Sequence, residues 1–112
     1  MSLKSTKVTS SFTAVTPAIT APTAVTLMIF CNLQPLDPGD PTSGEQYVSV
    51  RVGPAGVANA SDTYTILNEV KVDPSDTLTF DTERLILDAG DAIYVSTSSP
   101  NELTVTISYV SI

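Results

Sequence analysis

The sequence has no histidine and no tryptophan, and it contains only one cysteine in 112 residues. Without histidine, the chain cannot form a Ser-His-Asp or Cys-His nucleophilic arrangement or a histidine-based metal site. The single cysteine, Cys31, cannot form an internal disulfide. It lies in an apolar run, so we predict a small buried hydrophobic residue rather than a reactive thiol.

Basic residues are also scarce. Five Lys and Arg stand against twelve Asp and Glu, which gives a formal charge of −7 and a pI near 4.1. Phosphate binding needs clustered Lys and Arg, whereas the basic residues here are scattered along the chain. This composition argues against a nucleic-acid partner, and we interpret the acidity as favouring solubility.

Long hydrophobic runs are missing as well. The longest, Ala24 to Cys31, is too short to span a bilayer, so no membrane partner is expected. The polar start, Met1 to Lys7, does not have the pattern of a secretory signal peptide.

The length and the hydrophobic content predict one folded domain. A chain of 11.8 kDa should bury about two-thirds of its unfolded surface, which is enough for one core. Hydrophobic residues make up 42% and charged residues 15% of the chain, which is typical of a folded protein. We predict a flexible N-terminal arm over residues 1–6 and a single domain over residues 7–112.

Alternation of apolar and polar residues indicates β-strands. It is strict in Leu103 to Tyr109, which predicts Val105, Ile107 and Tyr109 on the core side. Glu45 to Val52 places Val48, Val50 and Val52 on one face. Thr23 to Leu33 is apolar on both faces, with Val25, Leu27, Ile29, Cys31 and Leu33 on one of them. This favours a central strand over the alternative of a buried helix.

Turn signals recur every eight to twelve residues between these segments. Further short strands are predicted in Val8 to Thr16 (with Phe12 as its anchor), Asp62 to Leu67, Glu69 to Val72, around Leu78 and Phe80, and from Leu85 onward. No segment has a convincing amphipathic helical pattern. We therefore predict an all-β fold, a single-domain antiparallel β-sandwich of about seven or eight strands. Its topology would be jelly-roll or immunoglobulin-like, with a small barrel as the alternative.

Three acidic turns share a pattern: Asp37 to Asp40, Asp73 to Asp76 and Asp88 to Asp91. Loop carboxylates spaced in this way can bind calcium, and the weak candidates are Asp37, Asp40, Asp88 and Asp91. None of the turns continues into a complete calcium-loop motif. Because Asp, Pro and Gly are also common turn formers, we favour a structural turn made by Asp88, Gly90 and Asp91. Gly90 is expected to take a positive φ.

The segment Leu85 to Ser98 reads Leu-Ile-Leu-Asp-Ala-Gly-Asp-Ala-Ile-Tyr-Val-Ser-Thr-Ser. It resembles a recurrent pattern in small virion structural proteins of tailed bacteriophages. The order of features along the chain also resembles that family: Pro17 to Pro22, Val25 to Leu33, Tyr47 to Val52, Leu85 to Val95 and Asn101 to Ile112.

The resemblance implies a non-enzymatic β-sandwich without a cofactor, located in the virion and assembled in the host cytoplasm. Its partners would be the major capsid protein or other virion proteins, with homo-oligomeric or multi-copy assembly. The leading expectation is a capsid decoration, or cement, subunit. The alternative is a tail, neck, baseplate or fibre component, which includes a module that binds a host glycan receptor.

Overall fold

The computed structural model of the protein describes residues 2–35, 38–40, 44–56, 63–80, 85–98 and 103–112. These residues form nine β-strands and no helix. The strands are β1 (Ser2–Val8), β2 (Thr13–Ala14), β3 (Thr23–Asn32), β4 (Gln46–Pro54), β5 (Tyr64–Val72), β6 (Thr77–Phe80), β7 (Leu85–Leu87), β8 (Asp91–Thr97) and β9 (Leu103–Ser111). Nothing in the described ranges is a candidate membrane-spanning helix.

The strands form two antiparallel sheets. Sheet A has the order β1-β9-β3-β6, and β7 also pairs with β3. Sheet B has the order β2-β8-β4-β5. The predicted all-β antiparallel sandwich is confirmed. The described part has nine strands rather than seven or eight, because β6 and β7 pair with different segments of β3.

The order of pairing identifies a jelly roll rather than an immunoglobulin-like sandwich. The first strand pairs with the last (β1 with β9), and the second pairs with the second-last (β2 with β8). Strand β3 pairs with β6 and β7, and β4 pairs with β5. Such nested pairing is that of one long hairpin wound into two sheets, the architecture of a jelly roll.

The core lies between the two sheets and is mainly aliphatic. Its fully buried members include Val48 and Val50 of β4 and Val105 and Ile107 of β9, and Tyr109 packs against it. The alternation predicted for both strands is confirmed. Cross-strand packing of β-branched side chains stabilises such sheets.

The two faces of β3 differ from the prediction because the strand contains an irregularity. Its register against β9 shifts between Val25 and Leu27, so a β-bulge at Thr26 reverses the alternation. Val25 therefore lies on the core side together with Met28 and Phe30. The prediction of a buried Cys31 is wrong: its side chain is half-buried on the outer face.

The N-terminal residues also differ from the expected flexible arm. Residues 2–8 form β1, which pairs along its whole length with β9. Val8 is fully buried at its end. The range Val8 to Thr16, where a first strand was expected, contains the last residue of β1, a connection and the two-residue β2. Phe12 is not a core anchor there, because it is half-buried and the Arg51 guanidinium stacks 3.9 Å from its ring centroid.

Strand β5 is one strand where two were expected. Asp62 lies outside the described residues, and Tyr64–Val72 is continuous. Its register against β4 shifts on either side of Val50. Glu69 takes a positive φ of 51° near this shift and donates its backbone N–H to Ser49 Oγ at 3.0 Å. The break suggested by the sequence is therefore a bulge within one strand.

Candidate functional site

The turn at Asp88 to Asp91 connects β7 and β8. Asp91 N–H donates to the Asp88 carbonyl at 3.1 Å, and Asp88 N–H donates to Asp91 Oδ2 at 3.0 Å. Gly90 has a φ of +89°, so its predicted positive φ is confirmed. Through these hydrogen bonds, both aspartates form the turn in the structure.

Gly90 also links this turn to two other segments. Its N–H donates to the Ile19 carbonyl at 2.8 Å, and its carbonyl accepts from Ala55 N–H at 2.7 Å. Ile19 is buried in the core and Ala55 directly follows β4. Backbone hydrogen bonds from this turn therefore connect the proline-rich segment before β3 and the end of β4 at one end of the sandwich.

The turn at Asp73 to Asp76 also has a backbone hydrogen bond across it. In the turn at Asp73, Asp76 N–H donates to the Asp73 carbonyl at 3.1 Å, and Pro74 occupies the predicted second position. Asp40 is exposed, and Asp37 lies outside the described residues. Within the described ranges, no group of three or more His, Cys, Asp or Glu residues is arranged to hold a metal ion.

Asn32 is the buried polar residue that the sequence reasoning missed. It lies at the end of β3 with 1% of its surface exposed. Its Nδ2 donates to the Val72 and Gly44 carbonyls, both at 2.9 Å, and its Oδ1 accepts from Gln34 N–H at 3.0 Å. Val72 belongs to β5, so Asn32 joins sheet A to sheet B. A polar residue within an apolar run is the only sequence signal for such a role.

The loop partner of Asn32 depends on glycine. Gly44 has a φ of +83°, and a Cβ placed there would lie 3.0 Å from Gln34 Cβ. Both the backbone conformation and the space therefore favour glycine. Ser75 reinforces the corner by donating its hydroxyl to the Gln34 carbonyl at 3.1 Å.

The four tyrosines have different environments. Tyr94 is buried and donates its hydroxyl to the Pro54 carbonyl at 2.6 Å, Tyr109 packs against the core, and Tyr64 is 80% exposed. Tyr47 is exposed and donates to Glu45 Oε2 at 3.0 Å. This hydrogen bond and the charge of Glu45 raise the pKa of the Tyr47 hydroxyl above its ordinary value. Lys71 Nζ lies 3.9 Å from Glu45 Oε1 and 3.7 Å from Asp73 Oδ1.

The outer face of sheet A, hereafter the A face, is almost free of charge. The strand registers place one set of residues on this side, opposite to the core. They are Leu3, Ser5, Lys7, Ala24, Leu27, Ile29, Cys31, Thr77, Thr79, Ile86, Thr104, Thr106, Ser108 and Val110. Only Lys7 among them is charged, on a chain whose formal charge is −7.

One end of the A face carries an apolar patch. We define it as Leu3, Leu27, Ile86 and Val110 with Ile112, which follows β9. Leu3 is 71% exposed, Ile86 57% and Ile112 67%. The other end of the face is rich in hydroxyl groups, and Ser5 and Thr106 share a hydrogen bond of 2.8 Å there. Large exposed apolar side chains on one face of a sheet are typical of contact sites.

The acidic side chains lie elsewhere. Every acidic residue that the structure describes lies in sheet B, beside it, or in the turns at the ends of the sandwich. They are Asp40, Glu45, Glu69, Asp73, Asp76, Asp88 and Asp91. Among the described residues, the A face therefore carries one lysine and no carboxylate, and the carboxylates lie outside it.

The long edge strands carry features that oppose pairing with another chain. On β1, Lys4 lies on the inner side of sheet A across from Ile107, and Lys7 lies on the outer side. On β5, the irregular register and the positive φ of Glu69 interrupt the free edge. Lysines, inward-pointing charges and bulges all disfavour edge-to-edge pairing. Contact through a face is therefore favoured over strand addition.

No protein-family model matches the chain, and no curated protein is significantly similar to it.

Proposed function

We propose that this protein is a non-enzymatic structural subunit of a tailed-phage virion, most specifically a capsid decoration, or cement, protein that docks on the lattice of the major capsid protein. Two observations support the proposal. The sequence from Leu85 to Val95 resembles a pattern in small phage virion proteins. The described fold is a jelly roll with one broad neutral face.

The A face is the observation that carries this proposal, because a subunit held in many copies on a lattice needs a surface for contact with its neighbours. Four strand positions at about 4.8 Å spacing and the nine-residue length of β9 give it roughly 20 Å by 27 Å, or about 500 Å². Burying it against an equal area removes about 1,000 Å² in total, near the lower limit for a specific interface. One such contact is weak, but many copies held on a lattice gain strength from their effective concentration.

Binding to undecorated heads tests the proposal. Purified protein should co-sediment with expanded heads that lack it, prepared from the phage that encodes it, and should saturate at a fixed number of copies per head. Binding to isolated tails but not to heads would favour the alternative of a tail, neck or baseplate subunit. Binding to neither would contradict a structural role in the virion.

Calcium provides a separate test of the receptor-binding alternative. A receptor module built on the acidic turns would melt at a lower temperature after chelation, since a bound ion stabilises the folded state. We expect the melting temperature to be the same with calcium and with chelator. A clear decrease on chelation would favour the receptor-binding module over the decoration protein.

A further inference from the structure

We infer that the A face binds the A face of a second copy of this chain, so that the protein forms a two-fold symmetric pair. The inference rests on the proposed structural role and assigns the A face to contact between neighbouring copies, so that docking on the capsid lattice uses the rest of the surface. In a two-fold pair, the same surface patch is used by both subunits and must be self-complementary. The observations that meet this requirement concern charge, area and the edges of the sheets.

Charge favours self-contact through this face. Two copies each carry a formal charge of −7, and their general repulsion must be overcome at the contact. The A face presents no carboxylate from its paired residues. Lys7 lies on the edge strand β1, at the rim of the face. Two A faces can therefore meet without opposing acidic groups among the described residues, whereas contact through the turns at the ends of the sandwich would bring carboxylates together.

The apolar patch supplies the attraction. Leu3 and Ile86 are the most exposed of its strand residues, and they lie on β1 and β7, on opposite sides of β9 and β3. Burial of such side chains against a second patch removes apolar surface from water. The total of about 1,000 Å² for the whole contact corresponds to a weak, reversible pair rather than an obligate dimer.

The hydroxyl-rich end is compatible with the same contact. Threonine and serine hydroxyls both donate and accept hydrogen bonds, so identical rows of them satisfy one another without a complementary partner. Ser5 and Thr106 show this locally, since their hydroxyls share a hydrogen bond of 2.8 Å. The protected edges of β1 and β5 leave face-to-face packing as the favoured mode of pairing.

Sedimentation analysis of the full chain under reducing conditions tests the pair. Reducing agent is required because Cys31 lies on the A face and is half-buried. The wild-type chain should dimerise reversibly with a micromolar Kd. Leu3→Asp and Ile86→Asp should each raise that Kd by about tenfold or more. Tyr64→Asp is the matched control, since Tyr64 is 80% exposed on sheet B, and it should leave the Kd unchanged.

A wild-type chain that stays monomeric at its highest soluble concentration would overturn the inference, as would a dimer whose Kd is unchanged in the Leu3→Asp/Ile86→Asp double variant.

Hydrogen exchange of the wild-type chain gives an answer that does not depend on folding of the variants. Peptides from β1 and β7 should gain protection as concentration rises, and equal protection at all concentrations would overturn the pair. A chain that is monomeric but still binds heads would contradict this inference and leave the proposed function in place. A chain that dimerises but binds no part of the virion would contradict the proposed function and leave the inferred pair in place.

Discussion

Asn32 and Val72 connect the two sheets of the sandwich: Asn32 Nδ2 donates to the Val72 carbonyl at 2.9 Å. The same amide group donates to Gly44, and its oxygen accepts from Gln34 N–H. Every described polar side-chain atom that is buried has a hydrogen-bond partner. A fully satisfied buried amide fixes one arrangement of the surrounding backbone, because any alternative leaves polar groups unpaired.

Asn32→Ala should therefore destabilise the fold strongly. The substitution leaves the Val72 and Gly44 carbonyls without the donor that they share, at a cost of roughly 2–4 kcal/mol in the free energy of unfolding. Urea denaturation measures this cost. Asn68→Ala is the matched control: Asn68 is exposed on β5, and its change should stay within about 0.5 kcal/mol. Equal effects at the two positions would show that Asn32 does not hold the sheets together.

Gly90→Val tests the turn between β7 and β8. A Cβ at Gly90 would meet no other atom within 4 Å, so the cost arises from the φ of +89° and not from a clash. A β-branched residue in this conformation should lose about 1 kcal/mol or more. The control is Ala89→Val in the same turn, where no positive φ occurs. Thermal unfolding that is equal for the two variants would mean that the turn relaxes to another geometry.

Ile107→Asp tests the orientation of β9. Ile107 is 1% exposed in the core, and a carboxylate there would be buried without a partner, which costs several kcal/mol. Since domains of this size are stable by only about 5–15 kcal/mol, we expect the cooperative unfolding transition to disappear. Ser111→Asp, at an exposed position of the same strand, should retain it. A well-folded Ile107→Asp variant would show that the core face and the outer face of β9 are the reverse of those described.

Tyr47 should ionise at a higher pH than a free tyrosine. Its hydrogen bond to Glu45 and the charge of that carboxylate raise its pKa above the ordinary value of about 10. The Tyr47 hydroxyl therefore loses its proton at a lower pH in the unfolded chain than in the folded chain. The hydrogen bond stabilises the fold fully below about pH 10, and this stabilisation is lost as the pH rises through the pKa of the folded state. The difference between the spectrophotometric titrations of the wild-type chain and Tyr47→Phe isolates the Tyr47 component, whose midpoint should lie above the ordinary value. In Glu45→Gln that component should move toward lower pH, and an unchanged titration would contradict the assignment.

The parts of the fold that were predicted correctly depend on local patterns. The alternation of Leu103 to Tyr109 specifies both the strand and its core face, because side chains in a strand alternate with period two. Gly90 and Pro74 carry turn preferences that act within four residues. These features require no knowledge of distant parts of the chain.

The parts that were missed depend on long-range pairing. Nothing local in Ser2 to Val8 reveals that it pairs with β9, about a hundred residues away. The bulge at Thr26 is set by the register of β3 against β9, and it moved Cys31 to the outer face. The A face has the same origin, because the outward residues of β1, β3 and β9 share a surface only once the strands are aligned. The acidic turns have a recognisable sequence pattern and were therefore predicted as candidate sites. The A face is formed by residues from separate strands and has no sequence motif that could predict it.

Electron microscopy at a resolution that shows β-strands, applied to intact particles of a phage whose genome carries this sequence, is the most direct test of the proposed role, since it would locate the subunit. We expect this jelly roll on the outer surface of the head, in regular multiple copies, with A faces packed in pairs. Finding the jelly roll only on the tail, or in no part of the particle, would contradict the assignment as a capsid decoration protein.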